Sequence, residues 1–246
     1  MISIAKWPRM IVATLLLLFS ASFMGCGGGS SGGGSNGEDN PPAPTNLDGV
    51  WGGTYSQTDG NKNLAALMYD GEIKILTEDS AIYDGTYSVT DGNFSATIHN
   101  STADVDMTGT ASERNQISAT YQSTSGNMGD MMLQFDNDLY DRASSLELLA
   151  GDWSNTEFNL SINAAGDLTG NSDTCHLSGK FSILDQGHNL YILDADFTDA
   201  DSTRCERAGQ YNGLAILWDA DGVRNSGLLW IISNDHARQF SKSYRP

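Results

Sequence analysis

The chain has 246 residues, with 13 basic and 31 acidic side chains and a formal net charge of −18. A surface this acidic repels nucleic-acid phosphates and anionic lipid headgroups, which excludes both as electrostatic partners. What remains is a face turned to water, or one that meets a cationic protein.

At the start of the chain, Lys6 and Arg9 precede an apolar run from Met10 to Met24, and Gly25 and Cys26 then lead into glycine and serine. A signal peptide has a charged start, an apolar core of roughly 7–15 residues and a small residue before the cut. A membrane-spanning helix needs about 20 apolar residues, and this run falls short of it with no basic flank behind. A secretory signal cut elsewhere, leaving Cys26 a plain thiol, is the other alternative. Phe23-Met24-Gly25-Cys26 resembles the lipobox of bacterial lipoproteins, whose pattern has Leu where this chain has Phe23. That resemblance covers the first 26 residues and implies a signal peptide over 1–25. It also implies a diacylglycerol thioether on Cys26 and acylation of the new N-terminus, palmitate included. Several chains hold stably where one is marginal, at about 0.8 kcal/mol per buried methylene. Gly27 stands where many enterobacterial lipoproteins carry an inner-membrane retention Asp, so the resemblance points to the outer membrane, on its periplasmic face or at the cell surface. Loss of 1–25 removes Lys6 and Arg9 and no acid, leaving 11 basic against 31 acidic residues, a net charge of −20.

Residues 26–46 read as the lipidated cysteine and its tether, flexible through GGGSSGGGSNG and stiffer through EDNPPAPTN. A flexible chain of this length spans about 25 Å root-mean-square. Gly28-x-Ser30-x-Gly32 and Gly33-x-Ser35-x-Gly37 match the hydrolase nucleophile elbow in letters alone, because no strand precedes them and no helix follows.

From Leu47 onward an internal repeat divides the chain into a first β domain, 47–145, and a second, 146–246. Leu47-x-Gly49-x-Trp51-x-x-Thr54 is matched by Leu149-x-Gly151-x-Trp153-x-x-Thr156, and Gly85-Thr86-Tyr87-Ser88-Val89 by Gly179-Lys180-Phe181-Ser182-Ile183. Periodicity is that of strands: Phe94, Ala96 and Ile98 alternate with polar residues, as do Met131, Leu133 and Phe135, and Phe158, Leu160 and Ile162. Asp59-Gly60, Asp70-Gly71, Asp84-Gly85, Asp91-Gly92 and Asp221-Gly222 read as hairpin turns. Leu228 to Ile232 is apolar throughout and reads as a strand buried on both faces. Leu139, Ala143, Leu146 and Leu149 or Ala150 fall at helical spacing, with Ser144 or Ser145 as cap. That stretch reads as a connector packed across the end of the second half. The expected class is all-β: two sequential antiparallel meanders, as small barrels or one sandwich.

There are three cysteines. If Cys26 carries lipid, Cys175 and Cys205 remain as a pair in an oxidising compartment. A bridge would close a loop of about 30 residues, worth roughly 3.5–4 kcal/mol. Free thiols and a metal site are the alternatives, although two cysteines without a CxxC or a nearby His pair make poor zinc spacing.

Gly49-x-Trp51 and Gly151-x-Trp153 resemble the lipocalin and calycin pattern, in which the Trp closes one end of an up-and-down barrel. The later lipocalin motifs do not appear. Cys175-x-x-Ser178-Gly179, Asn189-Leu190-Tyr191, Cys205, Tyr211-x-Gly213-Leu214-Ala215 and Ile231-Ile232-Ser233-Asn234 resemble a poorly characterised group of proteobacterial lipoproteins. That resemblance supports pairing Cys175 with Cys205 and implies no activity.

Chemistry-bearing clusters are sparse. Asp194, Asp196, Asp199 and Asp201 crowd one segment, Asp136, Asp138 and Asp141 another, and Asp219 and Asp221 a third. A calcium loop started at Asp136 would put Glu147 at position twelve, but Tyr140 replaces a ligand and Asp141 the glycine. His99, His176, His188 and His236 sit in no motif and read as surface histidines. No nucleophile stands with a placed His and carboxylate, and there is no phosphate loop. Trp51, Trp153, Tyr191, Tyr211, Trp218 and Trp230 read as core or as the lining of a small ligand cavity. The expectation is a non-enzymatic lipid-anchored envelope lipoprotein, attached to the membrane through lipid on Cys26, without cofactor, metal or nucleic acid. It serves as a binding or scaffolding module for a cationic protein or a small apolar ligand. The alternatives are an inhibitor or adhesin acting on a lysozyme-like enzyme and, behind it, an envelope-polymer hydrolase.

Overall fold

The computed structural model describes residues 45–172, 174–200 and 204–246. The lipobox, Cys26, the tether up to residue 44 and Asp201 lie outside the described residues.

Two closed eight-stranded antiparallel barrels follow one another. The first comprises β1 (Gly49–Gln57), β2 (Gly60–Tyr69), β3 (Glu72–Thr77), β4 (Ile82–Thr90), β5 (Asn93–His99), β6 (Asp104–Ser112), β7 (Gln116–Ser123) and β8 (Met128–Phe135). It closes where β1 pairs with β8, Trp51 opposite Phe135. The second comprises β9 (Gly151–Ser154), β10 (Asn159–Ile162), β11 (Asp167–Asn171), β12 (Cys175–Ile183), β13 (Tyr191–Asp199), β14 (Gly209–Ala220), β15 (Val223–Ser233) and β16 (Arg238–Tyr244). Its closure is short, with Tyr244 of β16 opposite Ser154 of β9. Alternation puts Phe94, Ala96 and Ile98 inside and Ser95, Thr97 and His99 outside, and the same rule runs through β6 and β7. Apolar side chains thus fill the barrels while Ser, Thr, Gln and Asp coat them, the reverse of a membrane-spanning barrel.

Both copies of the repeat take the same conformation. Leu47 and Leu149 are fully buried. Gly49 and Gly151 have φ of 147° and 128°, where a side chain would be strained. The Trp51 indole N–H donates to the Leu47 carbonyl at 2.9 Å, and that of Trp153 to Leu149 at 2.8 Å. The second echo falls on the fourth strand of each barrel, β4 and β12. Gly85 opposes Ile98 and Gly179 opposes Ala195, in each case on the fifth strand.

Three of the Asp-Gly pairs, at 70–71, 91–92 and 221–222, have positive φ at both residues, the conformation of a type I′ hairpin. Asp59-Gly60 also lies at a hairpin, with Gly60 already opening β2. Asp84-Gly85 is a correction: it lies inside β4, not in a turn. Glycine is needed there because a Cβ would come within 2.1 Å of the Thr97 carbonyl oxygen on β5. The helical stretch is a second correction. It forms two single turns, α1 (Asn137–Tyr140) and α2 (Leu146–Leu149). The break follows because the Ser144 N–H bonds the Gln186 carbonyl rather than continuing a helix, and Ser145 caps α2. Leu139 and Tyr140 of α1 join the first barrel's core, and Leu149 that of the second.

Residues from Pro44 to Pro246 form one compact unit. The barrels pack exterior to exterior: Val50, Leu67 and Leu76 on the outer wall of the first bury against Leu214, Ile216, Leu229 and Ile231 on the outer wall of β14 and β15. This is why Leu228 to Ile232 is buried on both faces. At the edge of that junction the partly buried Asp84 carboxylate accepts from Arg238 and lies 4.0 Å from the Lys74 ammonium. Lys74 in turn donates to Ser233 at 2.7 Å. Burial pushes the Lys74 ammonium below the usual lysine range, with Asp84 working against that shift.

Candidate functional site

The two barrels share a sealed end and differ at the other. Each is closed at the start of its first strand by the Leu and Trp of the repeat. At the far end of the first barrel, inward positions carry Tyr55 on β1, Tyr83 on β4 and Tyr121 on β7, all half-buried. The Tyr55 and Tyr121 rings lie 6.4 Å apart at 63°. Tyr121 donates to the Ser56 carbonyl at 2.5 Å. Its ring has room because Gly129 stands opposite, where a Cβ would come within 3.0 Å of Cε1. The β3–β4 loop brings Asp79 over this mouth, held by the Thr77 hydroxyl and reached by the Tyr55 hydroxyl at 3.4 Å. Glu78 beside it accepts from the Asn63 backbone and side chain at 2.8 and 2.7 Å, which fixes the loop.

Electrostatics keep these phenols neutral. Burial, then the Asp79 carboxylate, push Tyr55 up to about 12. Burial and Asp79 also raise Tyr83, and burial and Asp130 raise Tyr121. At neutral pH the mouth therefore carries three uncharged phenol rings beside an exposed carboxylate, with the Tyr121 and Tyr55 hydroxyls already donated to Ser56 and Asp79.

Among the described residues, the matching end of the second barrel is filled by buried side chains. Where Tyr83 precedes Gly85 by two residues, Leu177 precedes Gly179. Phe158, Phe197 and Tyr211 pack edge to face across this end, with centroids 6.2 and 5.3 Å apart. Arg207 lies 5.7 Å above the Phe158 ring and pairs with Glu157. Cys175 and Cys205 form a disulfide here, Cα atoms 4.9 Å apart, so the pair is neither free thiols nor a metal site.

The other singled-out residues have structural places. Trp51, Trp153, Tyr191, Tyr211 and Trp230 are buried in the cores and Trp218 lies on the outer wall of β14. Asp136 caps α1, Asp141 pairs with Arg114, and Asp219 holds Arg142 at 2.6 and 3.0 Å, so the calcium-loop carboxylates do not converge. Among the described residues no three His, Cys, Asp or Glu side chains meet as a metal site. Asp194 and Asp196 line β13, Asp199 accepts from the Cys205 N–H at 2.8 Å, and Asp221 forms a turn. His99, His176 and His236 are exposed, as expected. His188 is a correction: it is half-buried, stacked on Tyr140 at 4.3 Å between Asp185 and Asp141. The loop it sits on clasps the linker between the barrels.

Sequence reasoning did not find the tyrosine mouth. The signal was present in parity, since Tyr55 shares a strand face with Trp51 and Tyr83 shares one with Gly85. Which end of a barrel stays open is not written in any single strand. Compared with known protein families and with curated proteins, the chain matches none.

Proposed function

We propose that this protein is a lipid-anchored envelope lipoprotein that works as a non-enzymatic binding module, with the open end of its first barrel as the binding end. The anchoring half of this reading rests on Phe23-Met24-Gly25-Cys26 and the Gly/Ser run behind it. The binding half is supported by one observation: of two barrels built from the same repeat, one has buried side chains filling its far end among the described residues and the other ends in three half-buried tyrosines beside Asp79. A net charge of −20 on the cleaved chain favours a cationic partner and speeds its approach. The second reading, an inhibitor acting on a basic lysozyme-like enzyme, draws on that same charge. Mass spectrometry of the envelope-purified protein tests the anchor. The expected result is a chain beginning at Cys26 with the mass of a diacylglycerol and an acyl group. An unmodified Cys26, or mature-size protein made in globomycin-treated cells, overturns it.

A further inference from the structure

The rim of the tyrosine mouth is acidic. Asp59 lies in the β1–β2 hairpin, Glu78 and Asp79 in the β3–β4 loop, Asp104 at the start of β6 and Asp130 near the start of β8. Among the described residues Lys62 is the one lysine or arginine in the first barrel's strand ends and loops at this rim, and Asp59 already holds it at 2.8 Å, while Lys74 and Arg238 pair with Asp84 on the outside of β4. An aromatic floor with negative ring faces and a carboxylate rim complement one ligand chemistry. A cation over a tyrosine ring within about 6 Å is attracted by its quadrupole, and tetra-alkylated nitrogen is the form that aromatic enclosures take best. Anionic ligands are repelled by the rim and by the net charge of the chain. A neutral apolar ligand would gain nothing from the Asp79 carboxylate, which is exposed and already accepts from the Thr77 and Tyr55 hydroxyls. The second barrel supplies the contrast: the matching end carries Leu177 for Tyr83 and is capped by the Arg207–Glu157 pair.

We infer that the mouth formed by Tyr55, Tyr83, Tyr121 and Asp79 binds a small organic cation of the alkylammonium class. The ammonium group rests on the tyrosine faces, and Asp79 supplies the counter-charge. This rests on the binding-module reading and adds to it the charge of the ligand.

The test uses the full mature chain at low ionic strength, with its tyrosine ring resonances followed by NMR. The probes are choline and its uncharged isostere, 3,3-dimethylbutan-1-ol. Choline is expected to shift Tyr55, Tyr83 and Tyr121 saturably and at least tenfold more tightly than the alcohol, and to lose affinity with added salt. Tyr83→Leu copies the second barrel and is expected to weaken choline at least fivefold. Asp79→Asn, at an exposed loop position that leaves the core intact, is expected to weaken choline by about three- to tenfold and to leave the alcohol unchanged. Equal affinity for the two probes overturns the cation while the binding end stands. No shift at these rings with either probe overturns both. If choline fails but a basic protein such as lysozyme shifts the same rings, the small ligand is overturned in favour of a docked basic side chain.

Discussion

Asp84 shows how one residue changes meaning between sequence and structure. Followed by glycine and preceded by Tyr83, it carries the local signature of a turn. In the fold it faces outward as the third residue of β4, and Arg238 and Lys74 reach it from a distant strand and a neighbouring one. Both cations are nearly buried, and Asp84 is what compensates them. Removing one member of a buried ion cluster costs about 3–5 kcal/mol when charge is left unpaired, whereas an apolar replacement of similar volume is often close to neutral. Asp84→Ala is therefore expected to lose about 3–5 kcal/mol in urea unfolding. Lys74→Met, which leaves Asp84 with Arg238, is expected to stay within about 1 kcal/mol of wild type. Equal losses for the two variants would mean that Lys74 and Asp84 act through packing alone.

Among the elements, the Leu-x-Gly-x-Trp segment is the unit that was used twice. Its glycine takes a backbone angle that other residues adopt only with strain, and the Trp two residues on is buried at the closed end of the barrel. There the indole finds the carbonyl four residues back. Losing such a buried donor leaves that carbonyl unpaired, at a cost of about 1–3 kcal/mol. Trp51→Phe and Trp153→Phe are each expected to lower Tm by about 2–12 °C, since 1 kcal/mol shifts a domain of this size by about 2–4 °C. A variant that melts with wild type in a calorimeter would show that its N–H bond adds nothing to stability. The linker makes the opposite point. Its apolar spacing is helical, but Ser144 finds its partner in the 184–190 loop, and tertiary hydrogen bonding replaces the helix in the middle of the stretch.

For the whole molecule, the tyrosines make alkaline stability a readout of the packed state. Burial holds Tyr55, Tyr140 and Tyr191 at about 12, against an ordinary value of 10.0. A group raised in the folded state keeps its full stabilising contribution below the unfolded value, and loses it as pH rises through the folded value. Denaturant midpoints are therefore expected to hold from neutral pH to about pH 10 and to fall between about pH 10 and pH 12. Phenolate absorbance should rise in step with unfolding. Phenolate absorbance that reaches its full value near pH 10 in the native protein would show that these rings are not held neutral by the fold.

The linear chain determined a good deal of this protein. Alternation within strands, Asp-Gly at the hairpins and the repeated Trp motif dictate two antiparallel β meanders, because each depends only on neighbours within a few residues. The run from Leu228 to Ile232 announced burial on both faces for the same reason. Closure of the barrels, and the packing of one outer wall on the other, depended on strands far apart in the chain, as did the grouping of Lys74, Asp84 and Arg238. The same holds for the open tyrosine mouth: Tyr55, Tyr83 and Tyr121 lie on three strands that come together only when the sheet curls round on itself, so no local pattern encodes the opening.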